Sequence, residues 1–406
     1  MNIRFALLTL FVFCVIINPV QAQTSTEMNN QGLTKINGKD YAGAILDFNK
    51  AIELNDKNEK AFHNRGLAKY SLKDFDNAIV DFNKAIELNP EYANAFHDRG
   101  LAKFKKQDYN GALLDYTKAI EINPTYISAY SDRGMVNYML KDYAAAIKDY
   151  SKSIELKPDD ADGYVTRGYA RSNIKDYKAA IEDYNKALKL DPNLPGAFLY
   201  RGNAMYILND YDGAIQDFTK VTVLQPYNSN VWYNLGVIYA SRKNSNEAIK
   251  AYWKYIALEP KEWHGYKNIA DVYYVQLAKY DSSAFYYNKA WEINKKEKEI
   301  IERYGFSLVK QNKIKEAVDM FNNQVSFLPD DPWGYYNIAS AYSVGKQPKP
   351  ALTYFELAIK KRMSELGYWQ SDKNLDNIRL LADFKKLIKK NFTRDELVRY
   401  PKLFGF

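Results

Sequence analysis

The sequence has few of the residues on which metal sites and acid–base catalysts depend. Cysteine occurs once, at Cys14, and histidine occurs three times in 406 residues. One cysteine excludes an intramolecular disulfide and a cysteine-ligated metal cluster. The chain also has no HExxH motif, no phosphate-binding glycine loop and no EF-hand loop. We therefore expect no metal, no cofactor and no enzymatic activity.

A large excess of one charge is also lacking. The 57 basic and 49 acidic residues give a net charge of +8, and the two signs are interspersed along the chain. A nucleic-acid-binding surface would need clustered lysine and arginine. The charge distribution therefore disfavours a nucleic-acid partner.

Long apolar runs are absent except near the start of the chain. Residues 5–17 are apolar apart from Thr9, follow a short basic segment, and precede Pro19 and a compact segment that ends at Ala22. This order is typical of a signal peptide that is cleaved near Ala22. The run is shorter than the ~20 residues that a membrane-spanning helix needs. We therefore expect an exported protein with no membrane span, periplasmic or otherwise extracytoplasmic.

A repeated pattern dominates the rest of the sequence, which is 47% apolar and 15% aromatic. An Arg-Gly pair recurs every 34 residues, and an alanine and a proline keep the same period. A period of this length predicts a stack of repeated supersecondary units. The pairs are Arg65-Gly66, Arg99-Gly100, Arg133-Gly134, Arg167-Gly168 and Arg201-Gly202.

Each unit predicts two amphipathic helices. In the fourth unit, Asp142 suits the N-cap of the second helix, and Tyr143, Ala146 and Ile147 follow at helical spacing. Pro158 ends this helix, because the residue before a proline disfavours the α conformation. Equivalent aspartates in other units are Asp40, Asp74, Asp108, Asp176 and Asp210.

This pattern resembles the tetratricopeptide repeat, in the type found in exported bacterial proteins. The matching residues of the seventh unit are Trp232, Leu235, Gly236, Tyr239, Ala248, Tyr252 and Pro260. The resemblance covers about ten units between residues 25 and 364. It implies an all-α fold, a right-handed superhelical solenoid of about ten helix-turn-helix repeats with a C-terminal capping helix.

The repeats divide into a regular and a divergent part. Residues 25–228 hold six regular repeats, and residues 229–364 hold four divergent ones, with one extra residue near 279–283 in the eighth. Residues 365–406 break the period and predict a helical cap followed by an apolar tail docked on the body. The face predicted to cover the last repeat is formed by Leu375, Ile378, Leu381, Phe384 and Leu387, with Lys385, Lys386, Lys389 and Lys390 in water.

An arginine and an aspartate replace apolar residues of the family pattern in the regular repeats, and both disappear together in the seventh unit. Because an unpaired buried charge costs about 3–5 kcal/mol, their joint loss predicts a ladder of Arg–Asp pairs between first and second helices. The spacing leaves open whether pairs form within a unit or between neighbours. The ladder residues are Arg65, Arg99, Arg133, Arg167, Arg201, Asp47, Asp81, Asp115, Asp149, Asp183 and Asp217.

In the family, the first helices line the concave face of the solenoid and bind partners there. The resemblance places thirteen candidates on that face, namely His63, Tyr70, His97, Phe104, Tyr138, Tyr169, Tyr206, Tyr233, Lys267, Asp271, Tyr274, Trp333 and Tyr336. Tyrosine and tryptophan dominate binding hot spots, although these aromatics could instead pack between neighbouring first helices. For His63 and His97, one period apart, we expect a solvated groove rather than a metal site.

The resemblance implies an exported scaffold that binds a partner protein or peptide on the concave face without catalysis. It names neither the partner nor the oligomeric state. The alternative is a cell-envelope accessory factor that binds peptidoglycan or another glycan, or its processing enzymes, with the tyrosines as stacking platforms.

Overall fold

The structure is a computed structural model that describes residues 24–399. The signal peptide predicted at residues 1–22 and the tail at residues 400–406 lie outside the described residues. Within residues 24–399 every regular element is a helix, and none of these helices combines the length and apolar character needed to cross a bilayer.

Ten helix pairs follow one another, as the 34-residue period predicts, and each pair is one repeat. The first helices are Ser25–Asn37 (α1), Glu59–Ser71 (α3), Ala93–Lys105 (α5), Ile127–Met139 (α7), Ala161–Asn173 (α9), Pro195–Ile207 (α11), Ser229–Ser241 (α13), Trp263–Asp271 (α15), Lys298–Lys310 (α17) and Pro332–Val344 (α19). The second helices are Tyr41–Leu54 (α2), Phe75–Leu88 (α4), Tyr109–Ile122 (α6), Tyr143–Leu156 (α8), Tyr177–Leu190 (α10), Tyr211–Leu224 (α12), Ser245–Leu258 (α14), Tyr280–Ile293 (α16), Ile314–Phe327 (α18) and Pro348–Lys360 (α20).

A capping aspartate and a left-handed turn residue define the start of the second helices in the regular repeats. Asp142 accepts a hydrogen bond from the backbone N–H of Ala145 at 3.0 Å. The residue before it, Lys141, has φ of 64°, a conformation that favours glycine. The predicted N-cap role is also confirmed for Asp40, Asp74, Asp108, Asp176 and Asp210.

The two helices of a repeat approach closely where the period places glycine and alanine. A Cβ atom added to Gly134 would lie 2.8 Å from Cε1 of Tyr150. Ala146, on the facing helix, is fully buried. Only glycine leaves room for the ring at this crossing, which explains the glycine of the Arg-Gly pair.

The eighth repeat accommodates its extra residue in the first helix. There α15 continues as a π-helical turn, Val272–Gln276. The sequence-based position of the extra residue, near 279–283, is therefore wrong. The wide turn is held by Gln276, whose Nε2 donates to the carbonyl of Ala240 at 2.8 Å and whose Oε1 accepts from Ser245 Oγ at 2.8 Å. Such π turns are frequent at functional sites.

The chain after α20 caps the last repeat with short helices. Phe384 and Ile378 are fully buried in one cluster with Phe355 of α20, as predicted. Leu381 is exposed instead of buried, because the chain is extended there between two helices. The helices are Leu366–Ser371 (α21), Asp376–Arg379 (α22), Ala382–Asn391 (α23) and Arg394–Val398 (α24), with a 3-10 turn at Lys373–Leu375.

The chain divides into two compact units, Met1–Leu190 and Asp191–Phe406. The first contains repeats one to five, and the second contains repeats six to ten and the cap. The predicted change from regular to divergent repeats at residue 228 is a property of the sequence, and it stays a prediction.

Candidate functional site

Each arginine of the ladder pairs with the aspartate of its own repeat. In repeat four, Arg133 donates from Nε and Nη2 to the two carboxylate oxygens of Asp149, at 3.0 and 2.7 Å. This two-bond geometry makes strong, oriented ion pairs. The Asp149 side chain is 5% exposed and that of Arg133 is 20% exposed. The same geometry joins Arg65 to Asp81, Arg99 to Asp115, Arg167 to Asp183 and Arg201 to Asp217.

The arginine also contacts the preceding repeat. Arg133 Nη1 donates to Thr117 Oγ1 on α6 at 3.2 Å, and its guanidinium lies 5.7 Å from the ring centre of Tyr130. We call this arrangement of aromatic ring, preceding-helix acceptor and aspartate the arginine socket. Among residues 24–399 no arginine pairs with Asp47, which instead pairs with Lys35 at 2.7 Å. The ladder thus links helices within a repeat and ties repeats to one another.

The two histidines of the predicted face are buried, which contradicts the expected solvated groove. His63 is 5% exposed and His97 is 6% exposed. His63 Nε2 lies 2.7 Å from Asp98 and His97 Nε2 lies 2.7 Å from Asp132. His97 Nδ1 also lies 3.2 Å from Asp98. Each histidine is therefore enclosed between its own first helix and the next one, and a carboxylate satisfies it.

The carboxylates change the protonation of this network. Burial lowers the pKa of His97, but its hydrogen bonds to Asp132 and Asp98 outweigh burial and raise the pKa from 6.5 to about 9. Burial raises the pKa of Asp98, and the hydrogen bonds from His63 and His97 overcome it and hold that pKa below its usual value. His97 is therefore a buried cation at neutral pH, paired with two carboxylates.

The tyrosines and the phenylalanine at the end of the first helices pack against the aromatic residue that begins the second helix of the same repeat. Tyr138 lies 5.3 Å from Tyr143 and, across two first helices, 5.5 Å from Tyr169. Burial and Tyr169 raise the pKa of Tyr138 to about 12. The other pairs are Tyr70 with Phe75, Phe104 with Tyr109, Tyr206 with Tyr211 and Tyr274 with Tyr280. The contacts of these rings are part of the packing between the helices of a repeat, whereas the Tyr169 side chain is 39% exposed.

Tyr336 belongs to the joint between the last repeat and the cap. Its side chain is 1% exposed, and its hydroxyl donates to Asp372 at 2.6 Å. Burial and this carboxylate raise the pKa of Tyr336. Trp333 packs on the same cluster, 5.4 Å from Tyr368. The expectation that Tyr336 forms part of an open surface is therefore wrong, because the cap covers it.

A groove opens on three consecutive first helices of the divergent repeats. It has a volume of about 430 Å³, and we call it the first-helix groove. Its lining comes from α13, α15 with its π turn, and α17, together with one tyrosine of α14. The lining residues are Tyr233, Val237, Ala240, Ser241, Tyr252, Asn268, Asp271, Val272, Val275, Gln276 and Arg303. Of the thirteen candidates, this groove brings together Tyr233 and Asp271.

The charged side chains at the groove differ in whether they have an ion-pair partner. Lys267 bridges Asp271 at 3.0 Å and Glu299 at 2.9 Å, and Tyr287 donates a hydrogen bond to Asp271. Burial lowers the pKa of Lys267, but the bonds to Glu299 and Asp271 raise it overall. Arg303 is exposed, and no hydrogen bond or ion pair of its guanidinium is found within residues 24–399. The groove therefore offers one cation that is free to pair.

Several residues of these networks share a position that the sequence analysis left out. Asp98, Asp132, Asn268 and Arg303 are each the sixth residue of a first helix. The sixth residue lies on the same helical face as the second and the ninth, so it points toward the neighbouring first helix. A signal in the sequence could have found this position. Asp98 and Asp132 follow the two histidines by a constant 35 residues.

The chain matches models of one protein family along much of its length. Matches to the models described as Tetratricopeptide repeat cover residues 28–58, 59–92, 127–160 and 229–262, and the TPR repeat model matches residues 100–141, 174–208 and 202–242. Together these matches cover more than half of the chain. It belongs to the tetratricopeptide repeat family. No curated protein matches the sequence.

Solved structures of tetratricopeptide repeat proteins resemble this member of the family in fold. The C-terminal part of a repeat-containing protein from Cytophaga hutchinsonii is 20% identical, with a TM-score of 0.53 over 59% of this chain and 98% of that chain. MamA is 25% identical, with a TM-score of 0.41 over 43% and 94%. YrrB, described as a TPR protein with an unusual peptide-binding site, is 22% identical, with a TM-score of 0.41 over 44% and 92%.

Proposed function

We propose that this tetratricopeptide repeat protein is an interaction scaffold that binds a peptide segment of a partner protein in the first-helix groove. The observation that carries the proposal is the unpaired guanidinium of Arg303 beside an exposed apolar side chain. Val275 is 68% exposed, and both residues line the same groove. A guanidinium of this kind suits a carboxylate of the bound segment, because it can donate two parallel hydrogen bonds.

The surroundings of Arg303 favour a peptide as the ligand. Tyr233 and Asn268 add an aromatic ring and an amide to the lining, and Val237 and Val275 add apolar side chains. Helical peptides that bind in grooves do so through apolar anchor residues, which such a lining can accept. The Lys267 bridge holds α15 and α17 together through Asp271 and Glu299, so the groove is organised before a ligand arrives.

The groove supports binding rather than catalysis. Its one carboxylate, Asp271, already accepts from Lys267 and Tyr287, so it is not poised as a general base. Across residues 24–399 no group of three or more histidine, cysteine or acidic side chains is arranged to hold a metal ion. We therefore propose a reversible binding function.

We also propose that the chain is exported. The support is the order of residues 1–22, with a basic start, an apolar stretch and a compact segment that ends at Ala22. Mass spectrometry of the protein purified from its own cells should find Gln23 as the first residue. Recovery of the intact Met1 or Asn2 terminus would contradict export by this route.

Photo-crosslinking in intact cells tests the binding proposal. A benzophenone amino acid replaces Val275 in one variant and Leu114 in another. These residues are 68% and 71% exposed, and Leu114 lies on α6 and does not line the groove. Crosslinks to a small set of proteins should form from position 275 and not from position 114.

A charge reversal identifies the residue responsible. Arg303→Glu in the position-275 variant should remove the crosslinks, whereas Lys310→Glu, an exposed change on the same helix, should leave them intact. Equal crosslinks in both charge variants, or products that contain glycan rather than protein, would contradict the proposal.

A further inference from the structure

Repeat seven lacks the Arg–Asp pair of the arginine socket. Leu235 stands at the arginine position and Ala251 at the aspartate position, 16 residues apart as in the paired repeats. The other parts of the socket remain, because Trp232 stands at the position of Tyr130 and Thr219 at the position of Thr117. All four of these residues line an open groove of about 680 Å³. We call it the open socket.

Repeat eight shows that the ladder can be lost without leaving a cavity. In repeat eight, Tyr266 stands where the socket has its aromatic ring, and Trp253 stands where it has the acceptor on the preceding helix. Tyr286 stands at the position of the aspartate. Trp253 lies 6.3 Å from Tyr266 and 5.9 Å from Tyr286, both edge to face. Rings therefore occupy the equivalent space in repeat eight, whereas in repeat seven Ala251 stands where repeat eight has Tyr286.

The second helices beside the open socket have also lost acidic residues. In the first four repeats, a lysine on the second helix pairs with a glutamate three residues later, as Lys152 does with Glu155 at 2.6 Å. Lys220 and Lys254 stand at this lysine position on α12 and α14. Their partners are replaced by Val223 and Ala257, and neither lysine has an ion pair within the described residues. Val223 is 72% exposed.

The other charged groups at the open socket do not replace the missing glutamate partners of Lys220 and Lys254. Glu247 lines it, but Lys250 pairs with Glu247 at 2.6 Å. An arginine from another chain would find no carboxylate at Ala251 and would meet the repulsion of Lys254. The chemistry therefore favours an apolar side chain flanked by carboxylates.

We propose that the open socket is a second binding site, which takes an acidic peptide segment with one bulky apolar side chain. The apolar side chain packs in the socket against Trp232 and Leu235, which both line it. Carboxylates on either side of it pair with Lys220 and Lys254. The open socket shares no lining residue with the first-helix groove, so this site is independent of the function proposed above.

A fluorescein-labelled peptide, Gly-Glu-Glu-Phe-Glu-Glu-Gly, is the probe, and its anisotropy is measured with the full chain. Two control peptides replace the phenylalanine with alanine or all four glutamates with lysine. Each control should bind at least about tenfold more weakly, because one peptide loses the buried anchor and the other meets like charge. Failure of the probe peptide to bind at millimolar concentration, or binding equal to that of either control, would overturn the proposal.

The decisive variant refills the socket. Leu235→Arg combined with Ala251→Asp recreates the pair that five other repeats carry, so the double variant should fold, which a thermal melt checks. It should bind the probe peptide at least about tenfold more weakly. Retention of full affinity by this folded variant would show that the socket is not the site.

Two further variants separate the sites if the double variant unfolds. Lys220→Glu with Lys254→Glu changes exposed side chains only and should shift preference from the acidic to the lysine peptide. Arg303→Glu, in the first-helix groove, should leave the affinity for the acidic probe unchanged within about twofold. An affinity that depends on Arg303 and not on the two lysines would assign the peptide to the first-helix groove and overturn the second site.

Discussion

At the scale of single residues, the ladder arginine makes three kinds of contact at once. Arg133 binds Asp149 through two nitrogens, Thr117 through a third, and the Tyr130 ring through its flat face. Only a planar guanidinium offers this combination, since an ammonium is a point charge without a fixed fork. The pairing was predictable because both residues follow the 34-residue period. The extra contact with Thr117 was not, because asparagine or serine occupies that position in other repeats.

Removal of one partner of the pair should be costly. Arg133→Leu leaves Asp149 buried without its main counter-charge, with only Asn137 donating to it at 3.0 Å. We expect a loss of about 3–5 kcal/mol in the free energy of unfolding, measured by urea denaturation. Adding Asp149→Ala recreates the Leu–Ala pair of repeat seven and should recover much of this loss. A single variant as stable as the parent would show that the pair contributes little.

His97 should make stability depend on pH. Its pKa is raised from 6.5 to about 9 in the folded state, so its contribution is fully present below pH 6.5 and is lost as the pH rises through about 9. This shift corresponds to about 3 kcal/mol. His97→Ser, which copies Ser131 of the next repeat, should lose the corresponding slope between about pH 6.5 and pH 9.5 in unfolding experiments. Nuclear magnetic resonance titration that placed the His97 pKa near 6.5 would contradict this account.

At the scale of the helices, the period determines where a pair crosses. The recurrence of capping aspartate, aromatic and alanine at the same places predicted the six regular pairs, whereas the four divergent pairs lack the capping aspartate and were predicted from the remaining family residues. Irregular elements were harder to predict. The π turn of repeat eight depends on Gln276, whose two long-range hydrogen bonds hold the widened turn. The exposure of Leu381 depends on an extended break in the cap, which the three-residue spacing of apolar residues does not reveal.

The close crossing within a repeat predicts a clear difference between two glycine-to-alanine changes. At Gly134 the new methyl group would meet Tyr150 at 2.8 Å, whereas at Gly196 its nearest contact would be Tyr200 at 3.7 Å. Gly134→Ala should therefore destabilise the chain by about 1–3 kcal/mol. Gly196→Ala, in the first turn of α11, should be neutral or stabilising by up to about 1 kcal/mol. Equal melting temperatures for the two variants would contradict the close-crossing explanation.

At the scale of the whole molecule, the Arg–Asp ladder and the candidate sites lie in largely different repeats and overlap only in repeat six. Repeats two to six carry the ladder, and both the first-helix groove and the open socket lie in repeats six to nine. A buried ion pair at every repeat fixes the packing of its neighbours and leaves little room for a ligand. The divergent repeats replace it with rings or small side chains, so cavities and unpaired cations arise there.

The predicted site list fails where family positions alone were used. Asp271 lines the first-helix groove and Lys267 pairs with it, whereas Arg303, which lines the same groove, was not among the predicted residues. Conversely, His63 and His97 occupy family binding positions and are nevertheless buried by Asp98 and Asp132. Whether a first-helix side chain is open depends on its neighbour in the next repeat, which a single-repeat pattern does not contain.

Hydrogen–deuterium exchange on the chain bound to its crosslinked partner tests the central claim most directly. The account predicts that binding slows amide exchange in Ser229–Ser241, Trp263–Gln276 and Lys298–Lys310, and that Arg303→Glu abolishes this protection. The first helices of repeats two to four should exchange as in the free chain. Protection confined to those early repeats, with none around Arg303, would contradict the assignment of the binding site to the first-helix groove.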